Sequence, residues 1–311
     1  MLKFAFKRAA QTIFVLFGVS IILFLVMYVV VPGDPARAIA GKKADKSTIK
    51  AIHNKLGLDK PLYQQYFTYT ANLAKGDLGT SYRYRRPVQE MLAEAMPATF
   101  VLALAAIIIE VILGVLAGIY AYVTKIKFID AAITAGSAFL ISVPVFWLGM
   151  ILQYTFGIRL NLLPVSGNNY FTSLILPAIT LSAISVAVVI RILKTSLKEN
   201  QNADYLLVAR AKGLSESQVL YKHQLKNALI PTITYIGMDF GALMTGAVAT
   251  EIVFNWPGVG LLIRDAILER DIPVIISSIL VLVVIYILFN FLVDIAYGYL
   301  NPKVRAGEKV A

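Results

Sequence analysis

The sequence predicts an all-α membrane protein with six transmembrane helices, and three observations carry that expectation. Of 311 residues, 58% are hydrophobic and only 15% charged, against about 25% charged in a soluble domain. Six stretches, 9–31, 99–123, 131–156, 174–193, 231–254 and 274–299, match the ~20 mostly apolar residues that cross about 30 Å of hydrocarbon. Lysine and arginine are spread unevenly between the two sets of connecting loops. This composition argues against a disordered chain and an ordinary cytosolic enzyme. With no cysteine, a disulfide framework, thiolate zinc sites and iron–sulfur clusters are excluded. The two histidines, His53 and His223, stand far apart. A net charge of +11 would suggest nucleic acid in a soluble protein. Here the placement of the charges matters more than their sum, and the lipid bilayer is the expected surrounding.

Residues 1–31 form the N-terminal end and first span. Lys3, Lys7 and Arg8 precede it as in a secretory signal, but the apolar run Ile13–Val31 exceeds the usual 7–15 residues. No small-residue cleavage site closes it, so an uncleaved helix is expected. Basic residues resist translocation and set orientation. Lys3, Lys7, Arg8, Lys125, Lys127, Lys194, Lys198, Arg210, Lys212, Lys222, Lys226, Lys303, Arg305 and Lys309 fall on one side, whereas the opposite short loops hold only Arg159, Arg264 and Arg270. Both termini are therefore expected in the cytoplasm. The 32–98 segment carries eleven Lys/Arg on the other side, at a length where the rule weakens.

That segment reads as an external helical cap. Ser47 can N-cap a helix ending at Gly57, Pro61 suits the start of one running to Gly76, and Pro87 could open a third toward Ala95. Leu62, Tyr66, Tyr69 and Leu73 recur at helical spacing and offer an apolar face to the bundle. The cap is either a docked structural element or a receiving surface for an external partner.

Residues 99–299 form the core. An ionisable side chain at mid-membrane costs at least about 2.5–3.5 kcal/mol, so Glu110 in span two and Asp239 in span five are candidates for a translocation path. Each could equally be a protonated or hydrogen-bonded tie between helices. Glu251 and Asp294 lie nearer span ends. Gly114-x-x-x-Gly118 and the Gly237, Gly241, Gly246 series suit close helix packing. Pro144, central in span three, removes a backbone donor and should kink the helix. Ser142, Pro144 and Trp147 are then path-wall candidates, with a packing kink as the alternative.

The 194–230 segment is far longer than the 2–8 residues a connection between spans requires. Asn202 can N-cap a helix Ala203–Lys212, Gly213 supplies a left-handed C-cap, and Ser215 with Gln218 makes a capping box for a second helix reaching Ala228. Small Ala209, Ala211 and Gly213, interleaved with Arg210 and Lys212, suit close approach of a partner protein; an amphipathic pair on the lipid surface is the alternative. After span five, Trp256-Pro257-Gly258, a short helix Leu261–Leu268 and Arg270-Asp271 form an element too short to cross. Phe254 and Trp256 are expected to anchor it at the headgroup boundary. Residues 300–311 form the tail.

No Gly-x4-Gly-Lys-Ser/Thr loop, His-Glu-x-x-His or Gly-x-Ser-x-Gly occurs, so the chain carries no nucleotide cradle or common hydrolase motif. It is not expected to be an enzyme.

Asp204-Tyr205-Leu206-Leu207-Val208-Ala209-Arg210-Ala211-Lys212-Gly213-Leu214, followed by His223, Asn227 and Pro231, resembles the cytoplasmic signature of permeases in the dipeptide/oligopeptide/nickel family of bacterial ABC importers. The resemblance runs over nearly the whole chain. It includes Pro32-Gly33-Asp34-Pro35, Leu56-Gly57-Leu58-Asp59-Lys60-Pro61-Leu62, Gly76-Asp77-Leu78-Gly79-Thr80-Ser81, Pro97-Ala98-Thr99, Val143-Pro144-Val145-Phe146-Trp147, Trp256-Pro257-Gly258-Val259-Gly260 and Arg270-Asp271-Ile272-Pro273. Their order and spacing point to the B-type permease, which has the long first external loop.

The resemblance implies the type I ABC importer permease fold in a bacterial cytoplasmic membrane. It further implies a heterodimer with a second permease, two cytoplasmic ATPases that bind ATP and Mg, and an external substrate-binding protein. Asp204, Ala209, Arg210, Ala211, Lys212, Gly213, Leu214, Ser215 and His223 would then couple to an ATPase. Glu251, Trp256, Pro257, Gly258, Arg270 and Asp271 would belong to an external vestibule. One departure is that the general importer signature Glu-Ala-Ala-x3-Gly-x9-Ile-x-Leu-Pro is matched here only at Ala209, Gly213 and Leu225. The expected cargo is a di- or oligopeptide. Nickel, a metal chelate or an oligosaccharide is the alternative within the class, and a membrane scaffold or passive channel the alternative outside it; a membrane-embedded enzyme ranks third.

Overall fold

The structure is a computed structural model that describes residues 2–26, 36, 45–166 and 170–300. The Pro32–Pro35 motif and the tail residues Lys303, Arg305 and Lys309 lie outside the described residues. Helices follow in the order α1 (Leu2–Leu25), α2 (Lys46–Leu56), α3 (Leu62–Ala74), α4 (Val88–Ile109), α5 (Val115–Val123), α6 (Lys127–Ser142), α7 (Val145–Leu152), α8 (Tyr170–Asn200), α9 (Asp204–Ala211), α10 (Glu216–Gln218), α11 (Leu225–Phe254), α12 (Val259–Glu269) and α13 (Ile272–Leu300). The π-helical turns Glu110–Gly114, Gln153–Arg159 and Val219–Gln224 join α4 to α5, extend α7 and join α10 to α11. Thr80 and Pro87 form an isolated β-bridge, and no strand occurs among the described residues.

Among the described residues, five helical segments are long and apolar enough to cross a membrane, and the bent pair Lys127–Ser142 with Val145–Arg159 makes a sixth if it is one span. The two halves of that pair meet at 109°. Pro144 therefore breaks the helix outright, because its ring has no N–H to continue the ladder and disfavours helix at Val143 before it. Val143 adopts φ −90°, ψ 130°.

The chain divides into two compact units, Met1–Pro97 with Pro257–Leu288, and Ala98–Trp256 with Phe289–Ala311. In the first, the cap helix α3 meets α1 through Tyr66, whose hydroxyl is 2.8 Å from Ser20 Oγ and whose ring packs edge-on to Phe24. Tyr69 also stacks near Phe24. Leu62, expected on the same apolar face, is instead exposed. Gly57 and Gly76 end α2 and α3 at φ +66° and +80°, as the left-handed stop requires. Ser47 is not the N-cap of α2: the helix already includes Lys46, and Ser47 donates to Asp45. The expected third cap helix is also absent as a separate element. Val88 opens a helix that continues past Ala95 into the second span, and Pro97 inside it is tolerated.

The second unit is built on α8, which packs against α5, α6, α7 and α11. A Cβ on Gly114 would come within 2.6 Å of Val189 Cγ1, and one on Gly118 within 3.2 Å of Leu193 Cβ. This glycine pair is thus the seam that lets span two lie on α8. Gly237 approaches Val293 in the same way. Gly114→Ala is expected to cost about 1–3 kcal/mol by overpacking, lowering the thermal midpoint of the purified chain. Gly136→Ala, where nothing lies within 4 Å of the added carbon, should not lower that midpoint and should raise it slightly, since alanine is the better helix former.

Candidate functional site

The 201–215 segment is the best-formed candidate site. Helix α8 runs to Asn200, so Lys194 and Lys198 belong to it rather than to a loop; Lys194 pairs with Asp130 and donates to Thr134. The chain then turns sharply, and α9 starts at Asp204 with Ala203 as an N-cap that supplies no side-chain bond. Asn202 does not cap it, because the turn is closed by the Ala203 N–H donating to the Asn200 carbonyl. Gly213 turns the chain at φ +79°, and Ser215 with Gln218 forms the expected capping box. The second helix does not end at Ala228: it passes through the π-turn into α11, with Pro231 inside the helix.

The short helix α9 is two-faced. Leu206 and Ala209 pack on Val219 and Leu214, while Asp204, Tyr205, Leu207, Val208, Ala211, Lys212, Gly213 and Ser215 are exposed. Leu207 is 53% and Val208 55% exposed, and Tyr221 nearby in sequence is 57% exposed. His223 is half-buried. Arg210 turns inward along the segment: its Nε and Nη2 donate to Glu216 at 2.9 and 3.3 Å, and Nη1 donates to the Gln201 carbonyl at 3.4 Å. Hydrogen bonding to Glu216 holds the guanidinium above its ordinary pKa. One side chain thus ties the entry of the segment to its exit.

Of the path candidates, the structure brings Glu110 and Asp239 together. Glu110 is fully buried on the first π-turn, and its carboxyl lies against that of Asp239. Tyr235 donates to Asp239 Oδ1 at 3.4 Å, and Ser185 lies close to the same carboxyl. Asp239 and Tyr235 are half-buried, whereas Glu110 and Ser185 are buried. Ser142, Pro144 and Trp147 sit elsewhere, exposed at the 109° break; the Ser142 hydroxyl is taken up by the Ala138 carbonyl at 2.9 Å.

The vestibule candidates separate into two environments. Trp256 and Phe254 are not headgroup anchors. Both are buried, and the Trp256 indole N–H donates to the Ala98 carbonyl at 2.9 Å, which removes the need for a wet interface. Their helix ends on left-handed Asn255, with the Trp256 N–H donating to the Glu251 carbonyl at 2.9 Å; the Glu251 side chain is enclosed. Pro257 is exposed and Gly258 buried. In the first unit, Arg270 ends α12 in the same left-handed conformation at φ 56°. Asp271, which follows it, is buried. Its carboxylate accepts from Ser81 Oγ at 2.5 Å, the Tyr82 N–H at 3.0 Å and the Arg83 N–H at 3.2 Å. Two sequence motifs 190 residues apart are therefore one clamp, joined further by Ser277 donating to the Leu78 carbonyl at 2.8 Å. Beyond the clamp, burial and the nearby Glu269 carboxylate push the Tyr84 phenol above its ordinary pKa.

Sequence reasoning missed two glutamines. Gln153 Nε2 donates to the Val165 and Val253 carbonyls, both at 3.0 Å. Gln224 Nε2 donates to the Leu197 carbonyl and to Tyr122 Oη. For Gln153 the available signal was a carboxamide in an otherwise apolar run, which needs partners once buried; Gln224, among Lys222, His223 and Lys226, carried no such signal. Asp271→Ala would leave three donors without their acceptor. Opening of the 82–86 loop should rise by at least about ten-fold, read as faster tryptic cleavage at Arg83 or Arg85.

The chain matches two family models along its length: "Binding-prot-dependent transport system membrane comp, N-term" over residues 1–103 and "Binding-protein-dependent transport system inner membrane component" over residues 110–306. It is 41% identical over 305 residues to the glutathione transport system permease protein GsiC of Escherichia coli (strain K12), covering 98% of this chain and 99% of that one. The GsiC of Shigella flexneri serotype 5b matches to the same extent. Among solved structures, an amino acid ABC transporter crystallised with histidines is similar at TM-score 0.52 and 14% identity, over 69% of this chain and 94% of the other; at that identity the likeness concerns the fold. The chain belongs to the binding-protein-dependent inner-membrane transport family, and is a permease subunit of an ABC importer of the dipeptide/oligopeptide/nickel type.

Proposed function

We propose that the chain forms half of a translocation pathway for small peptides, paired with a second permease and driven by two ATPases on its cytoplasmic side. An external binding protein delivers the cargo. The observation that carries the cargo class is the 41% identity, sustained over 98% of the chain, to permeases named for glutathione, itself a tripeptide. ATP hydrolysis belongs to separate subunits, so force must enter through a surface of this chain.

The exposed face of α9 supports that surface. Tyr205, Leu207 and Val208 present apolar area outside the spans, ringed by Asp204, Lys212 and Ser215, the make-up of an apolar contact with a polar rim. The loop basic residues favour a cytoplasmic position for this segment and for both termini. Asp239, backed by Glu110, offers acidic oxygens to a peptide ammonium where the spans line the passage. Alternating access follows if pulling on 201–215 rocks the spans it joins.

Placing a charge in the α9 face by Leu207→Glu with Val208→Glu should abolish co-purification of the ATPases and substrate-stimulated ATP hydrolysis, while the chain still inserts in the membrane. Unaltered stimulation would contradict the docking assignment. For the cargo, cells lacking this chain should lose uptake of labelled dipeptide or glutathione. Loss of nickel or oligosaccharide uptake with peptide uptake intact would replace the peptide reading.

A further inference from the structure

The π-turn Val219–Gln224 belongs to two packed groups at once. Val219 joins Leu206 and Ala209 of α9 in one cluster. Leu220, the next residue, joins Ile119, Leu193, Leu197 and Ala228 of the long helices in another. The turn is therefore shared by these two clusters, and Gln224 closes it. That side chain is 2% exposed, and its amide nitrogen donates to the Leu197 carbonyl at 2.7 Å and to Tyr122 Oη at 2.9 Å. Both N–H groups of the amide are thus used.

The acceptors lie at two helix ends. Leu197 is among the last four residues of α8, whose carbonyls have no donor within the helix, and the Gln201 N–H that could have served it goes to Lys198 instead. Tyr122 stands in the last turn of α5. Apolar contacts are non-directional and can slide. A buried amide holding two acceptors fixes direction as well as distance, and separating them strands polar groups away from water.

We propose that Gln224 is the joint through which displacement of α9 moves the ends of α5 and α8 together. It is a positioning residue that touches neither nucleotide nor cargo, and its role rests on the reading of 201–215 as the motor contact. A chain without this clasp keeps its docking surface and loses the conversion of docking into span movement.

The test uses the complete importer in proteoliposomes, with labelled dipeptide as probe, and reads peptide transported per ATP hydrolysed beside thermal stability and ATPase co-purification. In Gln224→Leu, and in Gln224→Glu, which presents an acceptor to two acceptors, the ratio should fall about ten-fold while co-purification and ATP hydrolysis persist. Tyr122→Phe removes one of the two bonds and should lower the ratio about three-fold; if the Gln224 variants do not assemble, this variant decides. An unchanged ratio, including one where transport and hydrolysis fall in proportion, overturns the joint. ATPases that fail to co-purify with the unaltered chain overturn the motor contact, and the joint with it.

Discussion

In hydrocarbon no water is available to a backbone N–H or C=O, so each must be paired within the protein, and a spanning chain has little choice but helix. Every departure from the regular ladder then needs a local remedy. The described spans depart from it at few places, and those places hold the polar chemistry. The π-turns at 110–114, 153–159 and 219–224 begin or end on Glu110, Gln153 and Gln224, and each of these side chains reaches a different helix. A π-turn inserts one residue and rotates the remainder of the helix, which brings a polar group onto a face that α-helical spacing would have turned elsewhere. The break at Pro144 and the left-handed ends at Asn255 and Arg270 are further departures.

Function follows from where this rigidity stops. The long helices α8 and α11 carry apolar seams relieved by glycine, as at Gly114 against Val189. They end at a compact segment whose Leu206 and Ala209 pack inward while Leu207 and Val208 stand more than half exposed beside Asp204 and Lys212, with Arg210 paired to Glu216. A helix of this length is too short to stand without packing. The segment therefore reads as a fitted end, held in shape from behind and presented to a motor.

Much of this was legible in the residues. Hydropathy marked the five unbroken spans and the apolar stretch that Pro144 bends by 109°, because length and apolar composition are local properties. Gly213 and the Ser215–Gln218 box were also legible, since a left-handed stop and a reciprocal cap depend on residues three apart. The weaker caps failed for a related reason: Ser47 and Asn202 are good capping residues placed next to the actual boundary, which backbone turns decided. The hidden part was long-range. Trp256 looked like an interfacial anchor until its N–H met Ala98. Asp271 gave no sign of pairing with Ser81 and two backbone donors 188 to 190 residues away. Neither contact leaves a trace in spacing, and the glutamines of the π-turns depended on a helical register that no periodicity announces.

The central claim is that force enters this chain through the 201–215 segment from the cytoplasmic side. Because the chain contains no cysteine, a single Lys212→Cys can be followed with a membrane-impermeant thiol reagent in sealed vesicles of both orientations. Labelling is expected only in inside-out vesicles, with its suppression when the ATPases are bound. Labelling from the external face, or labelling indifferent to the ATPases, would contradict the claim.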